Sequence, residues 1–267
     1  MVVFLQSCKK VPLSVGERIT ETRGLDAFSK IEINDDINVT LIKADTNYIE
    51  ISAGKNLIPN ITTETHDGKL SINNENTMSW IRTYDHTIDA KLYFKSLNYI
   101  TISGSGHINS QCQINDTSDK HLRLCIFHAC GDIDLEINDS RSISVDYAQG
   151  SSVLKLHGTG NNHIYIGKSS YGVIDITEFG VRKATVKNYG SGDCYVSPTD
   201  TLRAYIYNLG NIYYKGRPVV EEHVEPDKRR LEQHCNGEGH ERHRRGHHSN
   251  SDREQPHAAV RLHSIRI

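Results

Sequence analysis

Methionine and tryptophan are almost missing from this chain, with two and one copies in 267 residues. Hydrophobic residues make up only 36% of it, below the share usual for a globule with one thick core. No run of eighteen apolar residues occurs, so the sequence carries no membrane-spanning helix. No stretch keeps a helical period for three turns, which argues against helices packed on one another. A basic excess is missing too. The formal net charge of −2 argues against duplex nucleic acid as a partner, because such binding needs a basic face to displace counterions.

What is present is Asp, Asn, Ser, Thr and Gly, with tyrosine outnumbering phenylalanine by 13 to 5. That is the composition of many short strands joined by polar turns. Residues 28–102 alternate with period two in short bursts, as in Phe28-Ser29-Lys30-Ile31-Glu32-Ile33 and Ile88-Asp89-Ala90-Lys91-Leu92-Tyr93-Phe94. Turn signals such as Asn34-Asp35-Asp36 and Asp67-Gly68 separate the bursts. Strands recur about every ten residues.

From Ser103 a motif repeats. Gly104-Ser105-Gly106-His107-Ile108-Asn109 is echoed by Ala129-Cys130-Gly131-Asp132-Ile133-Asp134, then by Gly158-Thr159-Gly160-Asn161 and Gly190-Ser191-Gly192-Asp193. Asn208-Leu209-Gly210-Asn211 is the loosest copy, and Phe179-Gly180-Val181 a degenerate one. Recurrent short strands of this kind point to a solenoid. Ordering one coil of about twenty residues costs roughly 1–2 kcal/mol per residue in backbone entropy. Five or six inward aliphatic side chains return only about 1.5–3 kcal/mol each. Single coils are therefore unstable, and stacking must supply the rest. The glycines are expected at the corners, where positive φ and close backbone approach suit them.

These glycine copies, with the alternating strands before them, resemble the head GIN domain of auto-transporter adhesins, a domain of unassigned function found in lipoproteins of Bacteroidetes-type bacteria. The resemblance covers about Phe28 to Pro218 and departs from the pattern at His107, at Ala129-Cys130 and at Asn208-Leu209. It implies an all-β, right-handed β-solenoid and supplies no catalytic residues. The expected organisation is then a partial signal and anchor over 1–10, a linker over 11–25, the solenoid over 26–218 and a disordered tail over 219–267.

Met1 to Cys8 reads MVVFLQSC and resembles the end of a bacterial lipoprotein signal, with Cys8 as the lipidated residue. Acyl chains there would anchor the protein by burying methylenes at about 0.8 kcal/mol each. Export to the outer membrane or cell surface follows as an expectation, with the periplasm as the lesser possibility. Beyond Cys8 five cysteines remain, an odd number that gives no complete disulfide framework.

Several clusters invite a chemical reading. Cys112, His121, Cys125, His128 and Cys130 contain one pair at zinc-ligand spacing, Cys125-x-x-His128, whereas structural zinc sites need two such pairs. They are read as strand residues, and no metal or cofactor is assigned. Cys130 beside His128 lacks a third group to orient a nucleophile. The tail holds His223, His234, His240, His243, His247, His248, His257 and His263, read as polar and unstructured. Asp35/Asp36, Asp132/Asp134 and Asp175/Glu178 are available for acid–base work, yet Asp after glycine is explained by the turn. Tyrosines crowd the last coils: Tyr165, Tyr171, Tyr189, Tyr195, Tyr205, Tyr207, Tyr213 and Tyr214. Of these, Tyr195, Tyr205, Tyr207, Tyr213 and Tyr214 are taken as one binding face. The expected function is non-catalytic binding of a protein or glycan at the cell envelope. A polysaccharide-acting β-helical enzyme and a purely structural envelope protein are the alternatives.

Overall fold

The computed structural model describes residues 14–76, 87–111, 114, 121–139, 142–224 and 262–265. Cys8, Cys112 and most of the histidine-rich tail lie outside the described residues. The described residues form a β-solenoid with no α-helix; one 3₁₀ turn spans Ile58–Asn60.

Each coil contributes one strand to each of two parallel ladders. Ladder A stacks β6 (Lys69–Asn74), β2 (Lys30–Asn34), β8 (Tyr99–Ser103), β10 (Leu122–Phe127) and β12 (Ile143–Tyr147). It continues through the second halves of β13 (Val153–Lys168), β14 (Val173–Asn188) and β15 (Cys194–Ile206), and closes on β17 (Val219–Val224). Ladder B stacks β7 (Asp89–Phe94), β3 (Asn38–Lys43), β9 (Ile108–Ser110) and β11 (Ile133–Asp139). It then takes the first halves of β13, β14 and β15, followed by β16 (Ile212–Lys215) and β18 (Leu262–Ile265).

Alternation in each strand sends one set of side chains inward. On ladder A the inward position is held by Leu70, Ile31, Ile100, Leu124, Val145, Ile166, Val186 and Ala204. On ladder B it is held by Val39, Ile108, Ile133, Leu154, Ile174, Cys194 and Ile212. All are buried. Cys194 fills its place as a small apolar group, and burial pushes its thiol pKa up to about 12.

The chain does not wind from one end. The β2–β3 coil sits between the β6–β7 coil and the β8–β9 coil, so the second coil in sequence is the outer one. Beyond it, antiparallel strands close the stack. β4 (Tyr48–Gly54) pairs with β7, β1 (Arg18–Gly24) pairs with β4, and β5 (Ile61–His66) pairs with β6. These strands cover the backbone edge that a bare terminal coil would expose. The stretch 11–25, expected as a linker, thus contains β1, whose Arg18 joins Asp89 and the carbonyls of Ser52 and Thr87.

The far end also departs from expectation. Pairing with β15 carries the stack to Val224, past the domain edge read at Pro218, and β18 returns from the segment read as disordered to pair with β16. Val220 packs on the core, which is why a short polar-looking stretch is held as strand.

The corners that lead from ladder A to ladder B contain Gly104, Gly106, Gly131, Gly190, Gly192 and Gly210, as the repeat predicts. Their reason is mainly space. A β-carbon on Gly131, Gly190, Gly192 or Gly210 would overlap a backbone carbonyl oxygen of the preceding corner. Of these six glycines only Gly104 takes a positive φ, of 142°. Gly158 and Gly160 lie at a different turn, inside β13 on the opposite edge where ladder B leads back into ladder A. There Gly160 leaves room for the buried ring of Phe179 in the next coil, so Phe179-Gly180-Val181 belongs to this second edge.

One interior feature has no sequence signal. Tyr147, Lys168 and Asn188 occupy successive inward positions at the end of ladder A strands and are fully buried. Lys168 Nζ donates to the carbonyls of Ser170 (3.0 Å) and Gly192 (2.6 Å), while Asn188 Nδ2 donates to Gly192 O at 3.0 Å. Tyr147 donates to Ser152 O. Burial holds the Lys168 amine below the ordinary lysine range. Buried polar ends are thus satisfied by corner carbonyls and tie successive corners together.

Candidate functional site

The five tyrosines expected on one face fall into three places. Tyr205 and Tyr207 project outward from the end of ladder A. Tyr195 and Tyr213 pair across ladder B, their rings stacked at 4.8 Å and 9°. Tyr214, paired with Val196, packs against the core. Ten residues separate Tyr195 from Tyr205, and the turn of the coil between them changes ladder.

Around Tyr205 and Tyr207 the outer face of ladder A gathers further rings. Tyr189 stacks on Tyr207 at 4.3 Å and 5°, and Tyr205 lies 6.4 Å from Tyr207 with nearly parallel planes. His223 of β17 sits 5.9 Å from Tyr205 and 6.2 Å from Tyr207. Lys187 places its ammonium 5.6 Å from the Tyr205 ring centre, within cation–π range. The stacked rings cover one another's faces, so the patch offers mostly ring edges, phenolic hydroxyls and a cation. At 44% exposure Tyr189 is the most open of these tyrosines.

Two coils before Tyr205 and Tyr207, on β13, lies a second group. Tyr165, 49% exposed, packs at 3.9 Å on the ring of His163. His163 Nε2 is fixed at 2.9 Å to Thr185 Oγ1. Burial, together with Arg203 and Lys183, lowers the His163 pKa and keeps the ring neutral near pH 7.

The carboxylate candidates separate. Asp35 accepts from the Asn74 amide. Asp134 and Glu178 converge on His157, at 3.0 Å from Nε2 and 2.9 Å from Nδ1. Lys155, Asp175 and Thr177 complete a shallow depression there, of about 70 Å³, with Asp175 Oδ1 occupied by the Thr177 hydroxyl and amide. Ligand pockets typically run to several hundred Å³, so this hollow is too small for an enclosed active-site cleft. Cys125 is buried, its Sγ 3.2 Å from Tyr99 Oη, whereas Cys130 is exposed. Among the described residues no group of three His, Cys, Asp or Glu side chains is arranged to hold a metal.

Residues 27–218 match the family described as putative auto-transporter adhesin, head GIN domain. The chain belongs to that head GIN family. No curated protein matches it. Its solenoid is similar to the crystal structure of a putative adhesin from Bacteroides fragilis, at TM-score 0.65 and 17% identity over 79% of this chain and 94% of that one. A putative adhesin from Parabacteroides distasonis gives a TM-score of 0.54 at 20% identity, over 79% and 95%. A putative lipid binding protein from the same species gives 0.51 at 20% identity, over 78% and 94%. At these identities the likeness is one of fold. No helix among the described residues is long and apolar enough to cross a membrane.

Proposed function

We propose that this head GIN chain is a non-catalytic binding module of the cell envelope, lipid-anchored through Cys8 at the outer membrane or cell surface. On this reading it engages a macromolecular partner with the outer face of ladder A. The observation that carries the reading is the contiguous array of Tyr189, Tyr205, Tyr207, His223 and Lys187 on three neighbouring coils. Tyrosine supplies large contact area at low entropic cost and adds a hydroxyl for hydrogen bonding, which is why it anchors many recognition surfaces. The adhesin description of the family supports the same direction.

The test is capture of envelope components on the immobilised full chain. A Tyr205→Ala/Tyr207→Ala double variant should lose a partner retained by the wild type, by about tenfold or more. A Tyr195→Ala/Tyr213→Ala variant should keep it. Equal capture by all three proteins would remove the ladder A face from the proposal. The anchor is tested separately: cells fed a clickable fatty acid should label the full-length product, and Cys8→Ser should abolish the label. An unlabelled wild type would end the lipoprotein reading.

A further inference from the structure

Gly167 is a glycine that the fold does not require. It sits on the outward side of ladder A, between Asp146 of β12 and Lys187 of β14. Its φ is not in the left-handed region. A β-carbon there would meet only Asp146 Oδ1, at 3.4 Å, whereas corner glycines such as Gly192 face backbone carbonyls. A bare glycine inside a strand marks a place where something can approach the backbone closely.

Outward side chains two residues apart share a face, so His163, Tyr165 and Gly167 form a row along one strand. His163 covers one side of the Tyr165 ring and is itself fixed by Thr185. Tyr165 therefore stands in that row between His163 and the bare backbone of Gly167. Arg123 holds Asp146 through Oδ2, at 3.0 Å from Nε and 2.7 Å from Nη2. That leaves Asp146 Oδ1 turned toward the gap, with no hydrogen bond among the described residues. Exposed Lys187 is the register partner of Gly167 on the opposite side, its ammonium resting near the Tyr205 ring.

We infer that this gap is a sugar-binding subsite that seats one pyranose ring of a glycan, with the ring's C–H face on Tyr165 and its hydroxyls bridging Asp146 and Lys187. The negative face of an aromatic ring attracts polarised C–H groups. A carboxylate accepts from sugar hydroxyls and an ammonium donates to sugar oxygens. One acid and one base leave the seat near neutral, which suits a polyhydroxylated ring better than an acidic peptide. The inference deepens the proposed function by naming a ligand class, and it rests on the outer face of ladder A being the binding face.

The test uses the full chain. A printed array of pyranose oligosaccharides is read first, followed by saturation-transfer NMR with methyl glycosides of glucose, galactose, mannose, N-acetylglucosamine and glucuronic acid. Wild type should bind a subset, with transfer strongest to protons on one ring face. Gly167→Val, which fills the gap with a residue suited to strands, should cut the signal about tenfold while the melting temperature holds. Tyr165→Ala should do the same, and Tyr195→Ala, on ladder B, should leave glycoside transfer intact. Binding to no pyranose, or binding unchanged in Gly167→Val, overturns the inference. If glycosides fail while envelope capture still depends on Tyr205 and Tyr207, the subsite is wrong and the proposed function stands. If a peptide competes with the glycosides and Gly167→Val is silent, the partner is a protein.

Discussion

At Gly192 a β-carbon would overlap the carbonyl oxygens of Gly172 and Tyr171, atoms of the ladder edge that cannot move without breaking the stack. Gly192→Val should therefore destabilise the protein by about 2–3 kcal/mol or more. Chemical denaturation reads this directly, and an unchanged midpoint would show that the corner relaxes. At Gly167, where a β-carbon would meet only the Asp146 carboxylate at 3.4 Å, the same change should stay within about 0.5 kcal/mol. The corner glycines were legible in the sequence because carbonyl-to-α-carbon stacking repeats with the coil and leaves a repeating letter. Of the two reasons expected for them, positive φ holds at Gly104 and not at Gly192, whereas close backbone approach holds at both. Lys168 and Asn188 were not legible. A polar residue at the end of a strand reads as solvated, and only the carbonyls of the next corner, supplied by a later coil, make it an interior group.

Among the elements, the strands themselves follow from alternation, and their parallel stacking follows from the need of each coil for neighbours. Their order does not. Nothing local distinguishes β6 as the outer neighbour of β2 and β8 as the inner one, since each offers the same alternating aliphatic face. The edge elements β1 and β17 look like linker and tail in the sequence, since their stretches are rich in charge and lack a long strand pattern, as edge strands tend to. The pairing gives β17 a role: it covers β15 from Thr201 to Ile206. A chain ended at Pro218 should melt several degrees below one ended at Val224, both lacking β18. Equal melting temperatures in calorimetry would make β17 dispensable.

For the molecule as a whole, the two ladders turn one string of tyrosines into two surfaces. The sequence places Tyr195, Tyr205 and Tyr213 within twenty residues, yet Tyr195 and Tyr213 share ladder B while Tyr205 joins Tyr189, Tyr207 and His223 on ladder A. Which rings meet depends on how many residues each corner consumes. The inward position held by Val145, Ile166, Val186 and Ala204 recurs after 21, 20 and 18 residues, too unevenly to be inferred from a motif. The outcome is a stack whose stability is shared among coils and whose outer face on ladder A is rich in aromatic side chains and little constrained by the core. Hydroxyl-radical footprinting of the full chain, with and without its captured envelope partner, reads each tyrosine separately. Binding through ladder A should protect Tyr165, Tyr189, Tyr205 and Tyr207 and leave Tyr195 and Tyr213 unchanged; protection confined to Tyr195 and Tyr213 would place the partner on ladder B.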